Sequence, residues 1–298
     1  MENGLEAGFP STLILTDGLI DMKILVGTLY SGENEYAECL QAIRLQTYTN
    51  FDHIIIENKP ELEAHYTLYK TFLDNADKYS LLIKVDADTV LCSADLFFNL
   101  AEKFLHNPNL EVLNIGVLDF FTDDMIAAGI QIYRNTVSWN FSKDTLFPDI
   151  PLHDPIRYEY DTIDLAPAAL HSPNPSLPQA FHFGVHRGLK SIQKIHSTSH
   201  WALLNKVWQK FLRTSDVRLG LAVLASELVY AGKFDRSEHN YTNPKMDQVL
   251  QDYINMSAPE IKNQIAWFRF WHWGFLPSKV RQKIIRHIRG KLQGRWDK

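Results

Sequence analysis

Cysteine is scarce in this sequence, which has only Cys39 and Cys92 among its 298 residues. Small secreted proteins that are held together by disulfides contain many more cysteines, so a disulfide framework is excluded as the basis of this fold. Both cysteines lie in segments that the pattern predicts to be helical or next to a strand. We therefore expect a reducing, cytoplasmic location.

Long apolar runs are missing as well. No stretch approaches the roughly 18–20 apolar residues that a membrane-spanning helix needs. The first residues show neither the basic region nor the apolar region of a secretion signal. We expect no signal peptide and no transmembrane segment, and we interpret residues 1–20 as a lead-in without assigned structure.

Positive charge is sparse outside the C-terminus. The formal net charge is −5, although residues 279–298 hold eight Lys or Arg against one acid, Asp297. Without the +7 of this tail, residues 1–278 carry −12. A body this acidic argues against general nucleic-acid binding, so we expect no nucleic-acid partner.

The sequence does contain apolar runs that alternate with helical patterns. The runs predict buried strands at 23–29, 53–57, 79–85 and 111–118, and apolar residues recur at helical spacing between them. Such alternation predicts an α/β fold with a doubly wound, mostly parallel sheet. From about residue 188 the pattern becomes helical, which predicts a helical C-terminal extension.

The run at 81–91, LLIKVDADTVL, ends in two aspartates, Asp86 and Asp88. Charged groups at the edge of a core cost free energy unless something pairs with them. Ligands of open α/β sheets bind outside the carboxyl ends of the strands, where these two side chains are predicted to lie. Two carboxylates in a short motif, with phosphate oxygens completing the shell, commonly hold Mg²⁺ or Mn²⁺.

Two other interpretations of this motif remain open. Asp favours turns, so the pair could be solvated acids at a strand end. DADTV also fits the nucleophile motif of haloacid-dehalogenase-type phosphatases. That family needs a Ser/Thr motif and a Lys motif before its later acidic motif, for which TDDMIAAG at 122–129 is the candidate, and residues 89–122 leave little room for them.

A longer stretch of the chain carries a family resemblance. KILVGTLYSGENEYAECLQAIRLQTYTNFDHIIIENK at 23–59, followed by the aspartate motif, resembles the A-type nucleotide-sugar glycosyltransferases, in particular family 2. Gln46-Thr47-Tyr48 matches the family's Q-t-y ending before the second strand, and Asp86-Ala87-Asp88 matches its D-x-D. The resemblance covers roughly residues 23–190 and implies a GT-A-like fold.

The resemblance implies a metal-dependent donor site. Asp86 and Asp88 would bind Mn²⁺ or Mg²⁺ together with the diphosphate of a nucleotide-sugar, and a UDP-sugar is the expected donor. Thr28 and Tyr30, after the first strand, would line the nucleotide pocket. The family's D-D-G-S after the second strand is ENKP here, so Glu57 or Asn58 would have to make its contact to the base.

The resemblance also implies a third metal ligand in the second half of the chain. His171 follows an apolar strand in DLAPAALHSPNPS and suits this role, while His182 and His186 in FHFGVHRGLK are the alternatives. Arg187 and Lys190 would neutralise diphosphate charge, as cations near a leaving group do.

An inverting transferase needs a carboxylate that takes the proton of the acceptor hydroxyl. The family's E-D motif is absent, and LFPDIPLHD offers Asp149 or Asp154 as the base. Inversion is implied by the resemblance alone. The missing motif keeps a second hypothesis open, in which the fold serves as a non-catalytic binding or scaffold protein.

We predict three parts in the chain: the lead-in at 1–20, a glycosyltransferase catalytic domain at 21–190 and a helical region at 191–298. The expected reaction is transfer of a sugar to a hydroxyl of a glycan or lipid-linked acceptor, in polysaccharide or glycolipid assembly. The tail at 279–298 repeats apolar residues every four positions among its basic ones. This pattern predicts either a helix docked on the acidic body or a basic amphipathic helix that binds an anionic membrane surface, at the inner face of the membrane.

Overall fold

The computed structural model describes residues 22–139, 141–148, 158–161, 167–193, 197–238, 240 and 243–273. The strands are β1 (Ile24–Tyr30), β2 (Phe51–Glu57), β3 (Leu81–Lys84), β4 (Thr89–Leu91), β5 (Val112–Asp119), β6 (Met125–Arg134), β7 (Tyr158–Asp161) and β8 (Ala169–His171). The helices are α1 (Tyr36–Arg44), α2 (Glu61–Leu73), α3 (Leu96–His106), α4 (Leu177–Ser191), α5 (Ser197–Thr214), α6 (Val217–Tyr230), α7 (Pro244–Gln251) and α8 (Ala258–Trp273).

The described strands form one sheet in the order β2-β1-β3-β6-β5-β8-β4, and β7 pairs with β5 outside this path. Pairs β1–β2, β1–β3, β5–β7 and β5–β8 are parallel, whereas β6 runs antiparallel to both β3 and β5. The short strand β4 runs antiparallel to β8. The carboxyl ends of β1, β2, β3, β5 and β8 therefore point toward the same edge of the sheet.

Both faces of the sheet are buried along β1, β3 and β5, which explains why these strands are mainly apolar without alternation. Ile24 and Val26 of β1 pack into one hydrophobic cluster with α1 and α3, while Leu25 packs into another with α2. In β3, Ile83 packs into the first cluster and Leu82 into the second. Successive side chains of a strand point to opposite faces, so each residue of such a run contributes to a core.

The helices after β8 form a third hydrophobic cluster. Helices α4 and α6 approach closely because Gly184 of α4 has no side chain. A Cβ at this position would lie 2.0 Å from the backbone oxygen of Ala222 on α6. Ser176 begins α4 with a capping box, in which its hydroxyl accepts from the backbone N–H of Gln179.

The predicted α/β fold with a mostly parallel sheet and a helical extension is confirmed. The sequence GIQIYRNTVSW at 129–139 also predicts a strand, whereas the strand in the structure spans Met125–Arg134 and lies antiparallel within the sheet. Among the described residues, no helix is both long and apolar enough to cross a membrane. The predicted lead-in and the basic tail lie outside the described residues.

Candidate active site at the carboxyl ends of the strands

The side chains of Asp88, Asp119 and His171 meet at the edge of the sheet where the strands end. Asp88 lies in the turn between β3 and β4, Asp119 is the last residue of β5, and His171 is the last residue of β8. The pairing of β4 and β8 places Thr89 opposite His171, and the pairing of β5 and β8 places Asp119 opposite the same residue. The sheet itself therefore brings together residues that are far apart in the sequence.

Asp88 is bonded to the segment that follows β8. Its Oδ2 accepts from the Ser172 hydroxyl at 2.7 Å and lies 3.3 Å from Nε2 of His171. Its backbone oxygen accepts from the Ser172 N–H at 2.7 Å. Ser172 has φ +47, a conformation that non-glycine residues rarely adopt and that costs of order 1 kcal/mol. Strain of this kind is found where the surrounding contacts fix a functional geometry.

Asp119 orients the His171 ring from the other side. Nδ1 of His171 donates to Oδ1 of Asp119 at 2.8 Å, and the Thr122 hydroxyl donates to Oδ2 at 2.7 Å. The Asp119 side chain is fully buried. Burial alone would raise the pKa of Asp119, but these hydrogen bonds and the His171 charge lower it below its usual range. The second ring nitrogen of His171 is thereby left to face Asp88.

The His171 ring carries a raised pKa. Burial disfavours its charged form, yet the nearby Asp88 and Asp119 carboxylates outweigh burial and raise the pKa to about 9. Arg187 acts in the opposite direction on His171, so its guanidinium also contributes to the field at this site.

Asp86 precedes this group in the same turn. Its Oδ2 accepts from Nζ of Lys84 at 2.7 Å, and the Lys84 side chain is 6% exposed. Its Oδ1 accepts no hydrogen bond from a described residue, and the side chain is 39% exposed. One oxygen of Asp86 is therefore fixed by a cation while the carboxylate remains open to a ligand.

Glu33 is an acidic residue of this site that the sequence analysis did not single out. It lies in the turn after β1, next to Gly32 with φ +108, and its Oε2 accepts from the Ser31 N–H at 2.6 Å. Burial and the charges of Asp88 and Asp86 raise the pKa of Glu33 to about 7. Its place directly after the first strand, in a glycine-containing turn, was the signal available in the sequence.

The residues predicted to line the nucleotide pocket lie in two different places. Tyr30 stacks on Tyr36, with ring centroids 3.9 Å apart, and the Tyr36 hydroxyl donates to Oε1 of Glu57 at 3.3 Å. Asn58 is exposed beside them, with φ +53 and its N–H donating to the Tyr30 oxygen. Tyr30, Glu57 and Asn58 thus form one surface at the ends of β1 and β2. Thr28 is instead fully buried, with its hydroxyl 2.9 Å from Nε2 of His53.

Three residues of α4 that were predicted to contact the metal or the diphosphate, His182, His186 and Lys190, contact other parts of the chain. Nε2 of His186 is 3.9 Å from Oε1 of Glu61 at the start of α2, and His182 lies one turn earlier with its ring centroid 5.8 Å away. Lys190 is buried, with Nζ over the Phe147 ring. The described contacts of Asp88 therefore include His171 and not the other two histidines.

Arg187 is the one predicted cation that acts on the strand-end group. Its guanidinium lies 5.3 Å from the Phe183 ring centroid, and no described carboxylate forms an ion pair with it. Its Nε is buried without a hydrogen-bond partner. A buried donor without a partner is costly, which is a reason to expect that a ligand supplies one.

A buried network joins the two loops that border the site, and sequence reasoning missed it. Oε2 of Glu35 accepts from the Gln179 amide at 2.8 Å, and Oε1 accepts from the Asn174 N–H at 2.9 Å. The Asn34 N–H donates to Oε1 of Gln179 at 2.8 Å. The Asn34 side-chain amide also donates to the Asn174 oxygen at 2.8 Å, so Asn34 ties the β1–α1 turn to the β8–α4 loop.

The candidate bases Asp149 and Asp154 lie outside the described residues.

The predicted metal site can be compared with the side chains that could serve as metal ligands. No group of three or more His, Cys, Asp and Glu side chains in the described part of the chain is arranged to hold a metal by itself. Mg²⁺ sites that act on phosphates use one or two carboxylates and complete the shell with substrate oxygens and water. A ligating histidine usually donates its other ring N–H to a carboxylate, as His171 does to Asp119. Asp88, Nε2 of His171 at 3.3 Å from it and Asp86 in the same turn are ligands of the types that such a site uses, and a bound diphosphate and water would have to supply the rest.

No protein-family model matches this sequence, and no curated protein sequence does either. Solved structures that align with this chain include A197 from STIV (14% identity, TM-score 0.31, 39% of this chain and 66% of A197). They also include S. aureus TarS (11% identity, TM-score 0.31, 84% of this chain and 55% of TarS). Mannosyltransferase PcManGT from Pyrobaculum calidifontis, solved with GDP-Man and Mn²⁺, aligns over 92% of this chain and 87% of its own length (12% identity, TM-score 0.36).

The chain thus spans only about half of the TarS chain and about two thirds of A197. At such TM-scores these likenesses assign no function, which has to be inferred from the chain's own side chains.

Proposed function

We propose that this protein transfers a sugar from a nucleotide-diphosphate sugar to a hydroxyl of a glycan or lipid-linked acceptor, with a divalent cation at the strand-end site. The observation that supports this proposal most is the chain of contacts from Asp88 through His171 to the buried Asp119. A strand-end carboxylate, an imidazole oriented by a second carboxylate and a nearby unpaired guanidinium are groups that suit a cation–diphosphate pair.

Each residue has a distinct role in this proposal. Asp86, Asp88 and Nε2 of His171 would hold Mn²⁺ or Mg²⁺, which as a Lewis acid stabilises charge on the leaving diphosphate. Asp119 keeps the His171 ring in one tautomer and one orientation. Arg187 supplies a positive charge for diphosphate oxygens, and its lack of a described carboxylate partner keeps that charge available.

The nucleotide would lie on the surface formed by Tyr30, Glu57 and Asn58. The stacked rings of Tyr30 and Tyr36 offer an aromatic face to the nucleotide base. The Glu57 carboxylate, beside Tyr36, can accept hydrogen bonds from N–H groups of that base. A UDP-sugar remains the expected donor. Inversion at the transferred sugar, with Asp149 or Asp154 as the base that takes the acceptor proton, remains part of the proposal.

The basic tail at 279–298 supports a further part of the proposal, namely reversible attachment to an anionic membrane surface. Its eight basic residues alternate with apolar ones at helical spacing. Each basic residue near an anionic bilayer contributes on the order of 1 kcal/mol to binding, so several together can hold the protein at the membrane surface.

Binding of nucleotide diphosphates with and without Mn²⁺, measured by calorimetry, tests the donor site. We expect metal-dependent binding that His171→Ala weakens by at least tenfold, because the imidazole faces Asp88. His186→Ala is the matched control, since its ring faces Glu61. A larger loss at His186 would move the metal ligand to α4. Binding without any turnover of a donor sugar would favour the scaffold hypothesis.

A further inference from the structure

A second cavity opens in the helical part of the chain, between α5, α6 and α8. Its volume is about 150 Å³, and the residues that matter for its chemistry are Trp201, Asn205, Trp208, Gln209, Glu227 and Arg269. Helix α6 begins near the strand-end site, where Arg218 donates to Oδ1 of Asn174. At a rise of 1.5 Å per residue, Glu227 lies roughly 13 Å further along this helix. None of the strand-end residues lines the cavity.

One wall of the cavity is a single face of α5. Trp201, Asn205 and Gln209 follow one another at intervals of four residues, so they lie in a row on that face. Trp201 is half-buried, and its indole neither stacks on another described ring nor donates a hydrogen bond to a described residue. The Asn205 and Gln209 amides are exposed and make no hydrogen bond within the described part of the chain. This wall therefore offers an aromatic face beside two unused amides.

Arg269 of α8 also lines the cavity, and its contacts hold its guanidinium in one direction. Nε of Arg269 donates to Oε1 of Glu227 at 2.5 Å, and the Glu227 side chain is 5% exposed. The Arg269 guanidinium also lies 4.5 Å from the centroid of the Trp208 ring. These two contacts fix the plane of the guanidinium, while its two terminal amino groups have no hydrogen-bond partner among the described residues. They are donors held in a defined direction.

The charge and polarity of the cavity narrow the class of ligand. Among the described residues that line the cavity, Glu227 neutralises Arg269, so they leave no excess positive charge to favour a phosphate or another strong anion. A purely apolar ligand would bury the amides and the guanidinium without partners, which costs free energy. The volume is below the 300–1,000 Å³ of sites for drug-sized ligands, so the cavity suits one small ring.

We propose that this cavity binds a single pyranose unit of a carbohydrate. The C–H face of a pyranose is apolar and covers an indole such as that of Trp201, while its hydroxyls both donate and accept hydrogen bonds. The Asn205 and Gln209 amides and the terminal amino groups of Arg269 match those hydroxyls. The site does not depend on the transfer chemistry proposed for the strand ends, because it needs neither metal nor nucleotide.

Saturation-transfer NMR on the full-length chain, without metal or nucleotide, tests this site. The probes are D-glucose, D-galactose, D-mannose, N-acetyl-D-glucosamine and their short linear oligomers. We expect saturable binding of at least one probe, a loss of at least tenfold in Trp201→Ala, and a severalfold loss in Asn205→Ala, whose exposed side chain is not needed for folding. Trp267→Ala is the matched control, because this indole is 52% exposed and does not line the cavity.

The outcomes separate this site from the donor site. Asp88→Asn should bind the probe as the wild type does, whatever its effect on nucleotide binding. Failure of every probe to bind the wild type would overturn the inference, as would wild-type affinity in both Trp201→Ala and Asn205→Ala. Loss of the probe in Asp88→Asn would place the sugar at the strand ends and would equally overturn it.

Discussion

Replacement of Asp119 by Asn isolates the contribution of a buried charge at the proposed donor site. Asn has nearly the same shape, its oxygen can still accept from Nδ1 of His171, and its amide can donate to the Thr122 hydroxyl. The two hydrogen bonds can therefore persist while the carboxylate charge is lost. The imidazole then becomes a weaker base and a weaker ligand.

The expected loss follows from the place of Asp119 behind the ligand. Removal of such a partner usually lowers metal affinity by about 10–100-fold, which equals roughly 1.4–2.8 kcal/mol. Calorimetric titration of UDP in the presence of Mn²⁺ measures this loss, and a thermal melt of the same sample shows whether the fold is retained. Binding that does not depend on Mn²⁺ should change little.

Asp124→Asn is the matched control for this substitution. Asp124 lies five residues further along, in the loop after β5. Its side chain is 47% exposed and forms an ion pair with Lys206, and exposed pairs contribute little to stability. The reasoning is refuted if Asp119→Asn folds and binds UDP–Mn²⁺ within twofold of the wild type. It is also refuted if the control loses as much affinity.

Two other substitutions and one truncation test separate parts of the account. Arg187→Ala should lower affinity for the diphosphate about tenfold with little change in melting temperature. The control Arg213→Ala, at an exposed residue, should change neither. A large drop in the stability of Arg187→Ala would instead show a structural role for Arg187. Gly184→Ala forces its Cβ against the Ala222 carbonyl and should cost about 1–3 kcal/mol, so a melting temperature equal to the wild type would contradict the close packing of α4 on α6. Full-length protein should co-sediment with anionic vesicles at low salt and be released at high salt, and a chain ending at Leu276 should not bind them; equal sedimentation of both would leave only a docked tail.

The sequence predicted the parts of the site that depend on local patterns. An apolar run followed by Asp86 and Asp88 predicted a buried strand with carboxylates at its end, and β3 has this arrangement. His171 was expected at the end of a late strand, and β8 ends there. Strand periodicity predicts which residues reach an edge, because burial on both faces constrains every position of the run.

The remaining contacts depend on which strands become neighbours, and no local pattern contains that information. Asp119 meets His171 only because β5 and β8 pair, across 52 residues of sequence. Glu35 meets Gln179 across 144 residues, and nothing near Glu35 distinguishes it from a solvated acid at a helix start. His182 and His186 were open as alternatives to His171, and the structure places them on α4, where the His186 ring lies near Glu61.

The central claim is that Asp88 holds a cation on which donor chemistry depends. Its most direct test is consumption of nucleotide-sugars, measured over a panel of UDP- and GDP-sugars with Mn²⁺, with Mg²⁺ and with chelator. We predict that at least one donor is consumed only with metal, that Asp88→Asn abolishes this consumption while its melting temperature stays near the wild type, and that the exposed Asp95→Asn retains it. Wild-type turnover by Asp88→Asn in Mn²⁺, or turnover that persists with chelator, would contradict the account.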